Sequence, residues 1–470
     1  MEKVGVLVVS YGARATAIID AFTRSTNYDA EIYVADKQRN PFNVKKAVKH
    51  VVIPDLNVEK ICKFAEAGKD KIDFCIVGPE KPIINGVRDL VEERTGVPVV
   101  CPTKEYAIEA SKVKQRLLFQ EIVPEVNPRF KIFNPNNYKN QEEAKKTVYI
   151  WLDELENKAV VKPDKPAAGK GVGVWGDHFT TRRQLFEHFL ANFQHGSVII
   201  EEKLEGEESS FQTFCDGKHL APLPETRDYK RAFNGDMGPN TGGMGSYKNV
   251  GDILPFITSA DENKEIEIVS KIFEKWKAAD DQALRGIPFY VAFIHTDKGP
   301  KILENNSRPG DPEIQNILPI LKDDFVDVCF KILEGNLTHV ELEKAATVVT
   351  YKVPPNYGGY MNTFSNLVNR TEIGKPVDLT NAYELSRKYD GRIRVYPASM
   401  ELRDSQNYAL KSRAVCVVGI GESLERARET SLEGVNAIKG GALWHRTDIA
   451  SKQHIEKSIR HMQKLRRSKQ

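Results

Sequence analysis

Lys158-Ala159-Val160-Val161-Lys162-Pro163-Asp164-Lys165-Pro166-Ala167-Ala168-Gly169-Lys170-Gly171-Val172-Gly173-Val174 sets a glycine-rich loop between two strand-like apolar runs, with Lys162 on the strand that enters it. Small residues let backbone N–H groups close over phosphate oxygens, and the lysines supply the opposite charge. This is not a Walker A loop. The G-x-x-x-x-G-K-S/T spacing is absent, and a strand rather than a helix is expected to follow. By itself the stretch also fits a glycine-rich hairpin with surface lysines.

Further along, Val198-Ile199-Ile200-Glu201-Glu202-Lys203-Leu204-Glu205-Gly206-Glu207-Glu208 runs an apolar strand into a carboxylate-rich bend. Such a hinge can present backbone groups to an adenine edge while a carboxylate accepts from ribose hydroxyls; a plain solvated loop has the same composition. In Ile302-Leu303-Glu304-Asn305-Asn306-Ser307-Arg308-Pro309-Gly310-Asp311-Pro312-Glu313, Glu304 and Asn306 fall on one side of a strand because the side-chain period is two. A carboxylate and an amide oxygen together suit Mg2+, which completes its shell with water and phosphate oxygens. Arg308 follows as an anion clamp. The run Asp228–Gly245 holds too many glycines for a regular element. It reads as a loop whose backbone approaches a ligand, with Lys230 and Arg231 adding positive charge.

In this content the stretches resemble the ATP-grasp fold, and two of them carry a more specific likeness. Gly238-Pro239-Asn240-Thr241-Gly242-Gly243-Met244-Gly245 is similar to the signature of the phosphoribosylamine–glycine ligase family. Arg308-Pro309-Gly310-Asp311-Pro312-Glu313-Ile314-Gln315 resembles that family's R-F-G-D-P-E-x-Q, with Pro309 in place of Phe. Gly78-Pro79-Glu80 with Pro82 and Gly86, Glu109-Ala110-Ser111-Lys112 (with Ala110 where the family has Gly), and the terminal Arg446-Thr447-Asp448-Ile449 resemble further family motifs. The likeness spans nearly the whole chain in the family's domain order.

The resemblance implies ATP and Mg2+ (or Mn2+) as cofactors, with glycine and 5-phosphoribosylamine as substrates. Lys112 and Lys162 would contact ATP phosphates, and Gly169, Lys170 and Gly171 would belong to the covering loop. Glu201 and Leu204 would lie at the adenine hinge, with Glu207 or Glu208 at the ribose. Glu304 and Asn306 would hold the metal. Asp228, Lys230, Asn240 and Arg308, with the Gly242–Gly245 loop, would surround glycine and phosphoribosylamine. One departure stands out. Where the family has a G-N-G-G-R-E-H-A type loop, this chain has Ser10-Tyr11-Gly12-Ala13-Arg14-Ala15-Thr16-Ala17, so Gly12 and Arg14 match but the Glu and the His do not.

Length and patterning frame these motifs. A chain of 470 residues exceeds one comfortable core, and about three domains are expected. The bounds are read as 1–103, a Rossmann-like unit; 104–338, the ATP-grasp unit; and 339–470, a small α/β unit ending in a basic helix. The first hundred residues alternate strands (Val4–Val9, Glu31–Ala35, Val51–Ile53, Ile72–Val77, Pro98–Cys101) with helices (Ala13–Arg24, Val58–Glu66, Ile84–Arg94). That is the pattern of a parallel sheet covered on both faces. Ligands then belong at the strands' carboxyl ends, near Ser10–Arg14, Asp36 and Gly78–Glu80. A helix is expected over Lys104–Glu121. The fold class is thus α/β and α+β, multidomain.

Hydrophobic residues make up 40% and charged residues 28%, with a net charge of +3, too mild to call for nucleic acid. No apolar run reaches the roughly 20 residues of a membrane span, and no signal peptide is read, so a cytoplasmic monomer is expected. The six cysteines are scattered without C-x-x-C spacing and read as buried free thiols. At the end, Ile455, Ile459, Met462 and Leu465 recur at helical spacing beside Lys464, Arg466, Arg467 and Lys469, and a solvated helix is expected. Three alternatives stand against the ligase: an ATP-grasp enzyme for another carboxylate and amine, a nucleotide-binding dehydrogenase using Asp36, and a catalytically silent ATP sensor. The dehydrogenase lacks G-x-G-x-x-G, and the sensor sits poorly with intact Lys162, Glu304, Asn306 and Arg308.

Overall fold

The computed structural model describes residues 1–166, 171–277, 282–359 and 368–467. The opening apolar run forms the strand Glu2–Val9, at the centre of a five-stranded sheet. Tyr28–Asp36 and Phe74–Val77 flank it, Lys49–Val52 and Val99–Val100 form the edges, and every pairing is parallel. Parallel neighbours need crossovers, which the helices Gly12–Thr23 and Val58–Glu66 supply. Gly78, at the end of one central strand, packs against Ser10 at the end of the other. A Cβ on Gly78 would stand 2.2 Å from Ser10 Oγ, so only glycine fits.

Two antiparallel four-stranded sheets follow. The first orders Phe130–Phe133, Val198–Glu202, Ala159–Pro163 and Gly173–Val174, with the helices Gln141–Glu154 and Arg182–Phe193 packed on it. The second orders Leu220–Pro222, Glu207–Cys215, Gly286–Thr296 and Gly299–Asn306. One of its faces is apolar: Phe211, Phe293 and Ile302 pack against Phe119 of the helix Lys112–Ile122 and Ile268 and Ile272 of the helix Ser259–Trp276. The opposite face is polar and faces the chemistry described below.

The helix expected from Lys104 begins only at Lys112. Ser111 has extended φ/ψ and accepts from the Lys114 N–H, while its hydroxyl donates to Asp164 Oδ1, which also accepts from the Val113 N–H. A cap tied to a distant strand end overrides the helical pattern upstream. The glycine-rich Asp228–Gly245 run is also more regular than expected. Arg231–Phe233 and Met237–Asn240 pair as an antiparallel ribbon, turning at Gly235 and Asp236 with φ of 72° and 58°.

The last sheet orders Arg227–Asp228, Gly245–Lys248, Ala346–Lys352, Val415–Gly421 and Ile393–Pro397, so it takes its first two strands from inside 104–338. The terminal helix Lys452–Arg467 is docked rather than solvated all round. Met462 is buried, Ile455, Ile459 and Leu465 pack on the core, and Arg466 bridges to Asp261 at 2.6 Å. All six cysteines are buried and free. Among the described residues no helix is long and apolar enough to cross a membrane.

Asp324 joins the first unit to the helix Phe325–Glu334. Its Oδ1 caps the helix by accepting from the Val326 N–H at 3.0 Å, and its Oδ2 accepts from Ser25 Oγ at 2.6 Å and from the N–H groups of Thr26 and Asn27. Replacing Asp324 with Ala is expected to lower unfolding free energy by about 2–3 kcal/mol in a urea titration. An unchanged midpoint would mean that water satisfies these donors equally well.

Candidate active site

The site begins at an irregularity. Ala292 pairs with Glu304 but Phe293 pairs with Ile302, so Leu303 is an extra residue bulged out of the ladder. Its carbonyl accepts from Lys162 Nζ at 3.1 Å and from Arg116 Nη2 at 2.6 Å, joining the two antiparallel sheets. Beyond the bulge, Glu304 and Asn306 lie on one face with Tyr290 and Ala292, and with Glu208, Ser210 and Gln212 of the next strand.

Lys162 Nζ is 2.7 Å from Glu201 Oε2, and Arg116 grips the same carboxylate through Nε and Nη2. Burial alone would raise the Glu201 carboxyl, but Arg116 and Lys162 outweigh it and hold it below the usual range. Glu201 is 2% exposed with both oxygens committed, so its side chain positions Lys162 and is not offered to an adenine. Past the last paired residue of that strand, Leu204 is half-buried with its backbone outside the ladder. Glu207 is turned away, bonded to Arg227 and His461. Glu208 stands 47% exposed, 2.7 Å from Lys230 Nζ.

Glu304 sits among lysines. Burial pushes its carboxyl up, but Lys112, Lys230 and Lys162, with a hydrogen bond from Asn306, bring it down to about 2. It is therefore ionised throughout the neutral range. Lys112 opens its helix, and its N–H donates to the Asp164 carbonyl at 3.0 Å. Gly171 is placed by a 3.0 Å contact between its carbonyl and His188 Nε2. Gly169 and Lys170 lie outside the described residues.

Arg308 organises the other end. Its Nε lies 3.3 Å from Glu80 Oε2 and 3.3 Å from Glu109 Oε1, and its guanidinium stands 5.7 Å from the Tyr290 ring centre. Arg14 donates to the Pro309 carbonyl at 2.9 Å, so the carboxyl edge of the parallel sheet abuts this turn as expected. Asp36 is not available to a ligand: it is fully buried and accepts from Asn43 Nδ2 at 2.7 Å.

Burial, reinforced by Glu313, drives the Asp228 carboxyl well above its usual range. Gly243, at φ 104°, leaves room for it; a Cβ there would stand 2.6 Å from Asp228 Oδ1 and 2.8 Å from Pro312 Cδ. The Thr241 N–H and hydroxyl both bond the Lys230 carbonyl, which places Asn240 at the foot of the ribbon beside Lys230. Asp228 Oδ1, Gln212 Nε2 and Glu313 Oε2 are buried without a hydrogen-bond partner among the described residues, which leaves this floor with polar atoms that water or a polar ligand could satisfy.

Sequence reasoning missed Arg413. It donates to the carbonyls of Gly242 (2.6 Å) and Asp311 (3.2 Å), bridges Asp311 Oδ2 at 3.0 Å, and lies 4.5 Å from the Tyr351 ring centre. No local motif surrounds it. Glu80 and Glu109 stand in recognised motifs but were not singled out as partners of Arg308.

A parallel-sheet unit set beside two antiparallel sheets, with lysines and a metal-type carboxylate–amide pair between them, defines an ATP-grasp enzyme. Residues 4–109 match the family model for the phosphoribosylglycinamide synthetase N domain, and residues 125–314 match that for its ATP-grasp (A) domain. The chain belongs to the phosphoribosylamine–glycine ligase family. It is 35% identical to the phosphoribosylamine–glycine ligase of Methanocella arvoryzae over 465 residues, covering 98% of this chain and 99% of the relative. It is 36% identical to that of Pyrococcus furiosus over 467 residues, covering 98% of each. The crystal structure of the Thermotoga maritima enzyme of that name superposes with a TM-score of 0.72 at 24% identity, covering 95% of this chain and 100% of the other. The fold is shared more widely. The biotin carboxylase domain of Hydrogenobacter thermophilus 2-oxoglutarate carboxylase, solved with MgADP, gives 0.66 at 16% identity, covering 98% of this chain and 93% of the other.

Removing the Glu201 carboxylate strands two buried cations. Glu201→Ala is expected to cost about 3–5 kcal/mol in chemical denaturation. A loss under about 1 kcal/mol would mean that the Lys162–Glu201–Arg116 link is exposed in solution and screened like a surface pair.

Proposed function

We propose that the chain joins glycine to 5-phosphoribosylamine with cleavage of ATP, releasing glycinamide ribonucleotide, ADP and phosphate in de novo purine biosynthesis. The observation that carries the reading is Glu304, kept ionised by three lysines on the face it shares with Asn306, in a chain of this family. Glu304 and Asn306 offer the hard oxygen donors that Mg2+ or Mn2+ takes. Bound there, the ion would neutralise charge on the nucleotide phosphates. Lys112 and Lys162 face the same phosphates, the Leu204 backbone meets the adenine edge, and Glu208 accepts from the ribose.

The reaction asks for activation of a carboxylate, which is a poor acylating group. The glycine carboxylate attacks the γ-phosphate of ATP, forming glycyl phosphate and ADP. The amine of 5-phosphoribosylamine then attacks the acyl carbon, the amide bond forms, and phosphate leaves. Asp228, Lys230, Asn240 and Arg308, with the Gly242–Gly245 segment, orient these two substrates. The protein contributes positioning and charge compensation, which is what phosphoryl transfer requires of it.

A second reading, another amine, has one observation in its favour: in the altered Ser10–Ala17 loop the matched Arg14 gives Nη1 to the Pro309 carbonyl, while its Nε has no hydrogen-bond partner among the described residues.

ADP and phosphate release, followed with each of glycine, ATP, divalent metal and fresh 5-phosphoribosylamine left out in turn, separates the two. Dependence on all four, with glycinamide ribonucleotide detected by mass, is the expected result. ADP release indifferent to 5-phosphoribosylamine would move the search to another amine. Glu304→Ala is expected to cut turnover about 100-fold or more with an unchanged circular dichroism spectrum. Near-normal turnover at saturating metal would remove Glu304 from the metal site.

A further inference from the structure

The sheet that carries Glu304 and Asn306 holds a second polar cluster on its other face. Glu207 pairs with His295 and Ser209 with Phe293, so Ser209 and His295 point to the side packed against the helix Ser259–Trp276. That helix contributes Glu265, and the connector before Arg227 contributes Glu225. The ligand atoms of Glu225, Glu265 and His295 all lie within 4.8 Å of one another. Glu225 is 2% exposed, and Glu265 and His295 are 0% exposed.

His295 Nε2 lies 3.0 Å from Glu265 Oε1 and 3.0 Å from Ser209 Oγ, and Ser209 Oγ reaches Glu265 Oε1 at 3.2 Å. Neither carboxylate oxygen of Glu225, nor Oε2 of Glu265, meets a donor in good geometry among the described residues; what lies within reach of Glu225 is the Glu265 carboxyl and the Ser209 hydroxyl. A buried carboxyl aimed at a second carboxyl and an imidazole is costly unless something positive joins them. The neighbouring arginines are engaged elsewhere: Arg227 with Glu207 and Ser458, Arg466 with Asp261.

We propose that Glu225, Glu265 and His295, with the Ser209 hydroxyl as a fourth donor, form a buried site for one divalent transition-metal ion of the zinc class. Donors about 2.0–2.2 Å from one tetrahedral ion lie roughly 3.3–3.6 Å apart. The observed separations, from 3.0 Å to at most 4.8 Å, reach that with a small closing shift. One imidazole with two carboxylates and no thiolate suits Zn2+ better than soft Cu(I), and the imidazole disfavours Mg2+ and Ca2+. The ion would staple strand, helix and connector at once. Because Asp228 follows three residues after Glu225, it would also fix the approach to the other face without touching substrate.

The intact chain is stripped with a chelator, exposed to Zn2+ with saturating Mg2+ present, desalted, and assayed for metal by mass spectrometry. About one equivalent of zinc is expected in the wild type and in Glu304→Ala, with loss of it in Glu225→Gln and His295→Gln. The thermal midpoint of the wild type should fall when the metal is removed. Less than about a tenth of an equivalent in the wild type with an unmoved midpoint would overturn the site, leaving a carboxyl pair that shares a proton. Zinc retained equally by both glutamine variants would overturn it as well. Should a variant fail to fold, X-ray absorption of the zinc-loaded wild type decides: imidazole and oxygen neighbours are expected, and a shell without imidazole refutes the assignment.

Discussion

The buried carboxylate of Glu201, held between Arg116 and Lys162, is the interaction on which the site depends. Isolated in a protein interior it would be protonated or would unfold its surroundings. Paired on both oxygens it remains charged, and Arg116 spends its remaining donors on Asn127 Oδ1 and the carbonyls of Ile302 and Leu303. Three elements are fixed at once: the helix Lys112–Ile122, the strand bearing Lys162, and the bulged strand bearing Glu304. The bulge makes this possible, since successive carbonyls of a regular strand point to opposite sides and those of Ile302 and Leu303 could not both reach Arg116. Lys162 is thereby presented from a rigid strand rather than from a mobile loop.

Charge is distributed unevenly along the cleft. Around Glu304 the four cations Lys112, Lys162, Lys230 and Arg116 face three carboxylates, Glu304, Glu201 and Glu208, a balance that suits polyphosphate. Around Arg308 the balance reverses, with Glu80 and Glu109 within 3.3 Å and Glu313 bonded to Tyr290 OH. In the proposed reaction the anionic donor and the amine-bearing acceptor meet at the boundary between these regions. Lys230 and Asp228 stand there, two residues apart, one paired with Glu208 and the other backed by Gly243.

What was legible in the sequence was what short-range geometry dictates. A strand's period of two put Glu304 and Asn306 on one face, and the alternation of apolar runs gave the parallel sheet. The Leu303 bulge was not legible, because one extra residue changes no composition and only the opposite strand reveals it. The resemblance placed Glu201 at the adenine hinge but said nothing of its side chain, whose partner Arg116 lies 85 residues away in a helix whose pattern marks it only as charged. Arg413 escaped for the same reason. Glycine count in Asp228–Gly245 suggested an irregular loop, whereas positive-φ glycine is also what a tight ribbon turn requires. Density of turn residues does not distinguish the two without a partner strand.

The C-terminal sheet explains why the Asp228–Gly245 end of the cleft is composite. Asp228 ends a strand paired to Gly245–Lys248, which is paired in turn to Ala346–Lys352. The segment between those first two strands contains the ribbon and the two glycines that Arg413 holds. Pairing at both ends of one short segment fixes its span, so Asp228, Lys230 and Gly243 move as a unit with the last sheet. Arg413 extends that unit to Asp311: its fork is divided between three backbone carbonyls, those of Gly242, Gly243 and Asp311, and the Asp311 carboxylate, and its plane rests on Tyr351. Lysine at 413 would keep the charge but lose the fork, so the glycine segment and the Asp311 turn would no longer share a single anchor. The end that the proposed reaction gives to the acceptor is thus built by long-range pairing, whereas the end it gives to the phosphates is built by a single buried charge cluster within the central unit.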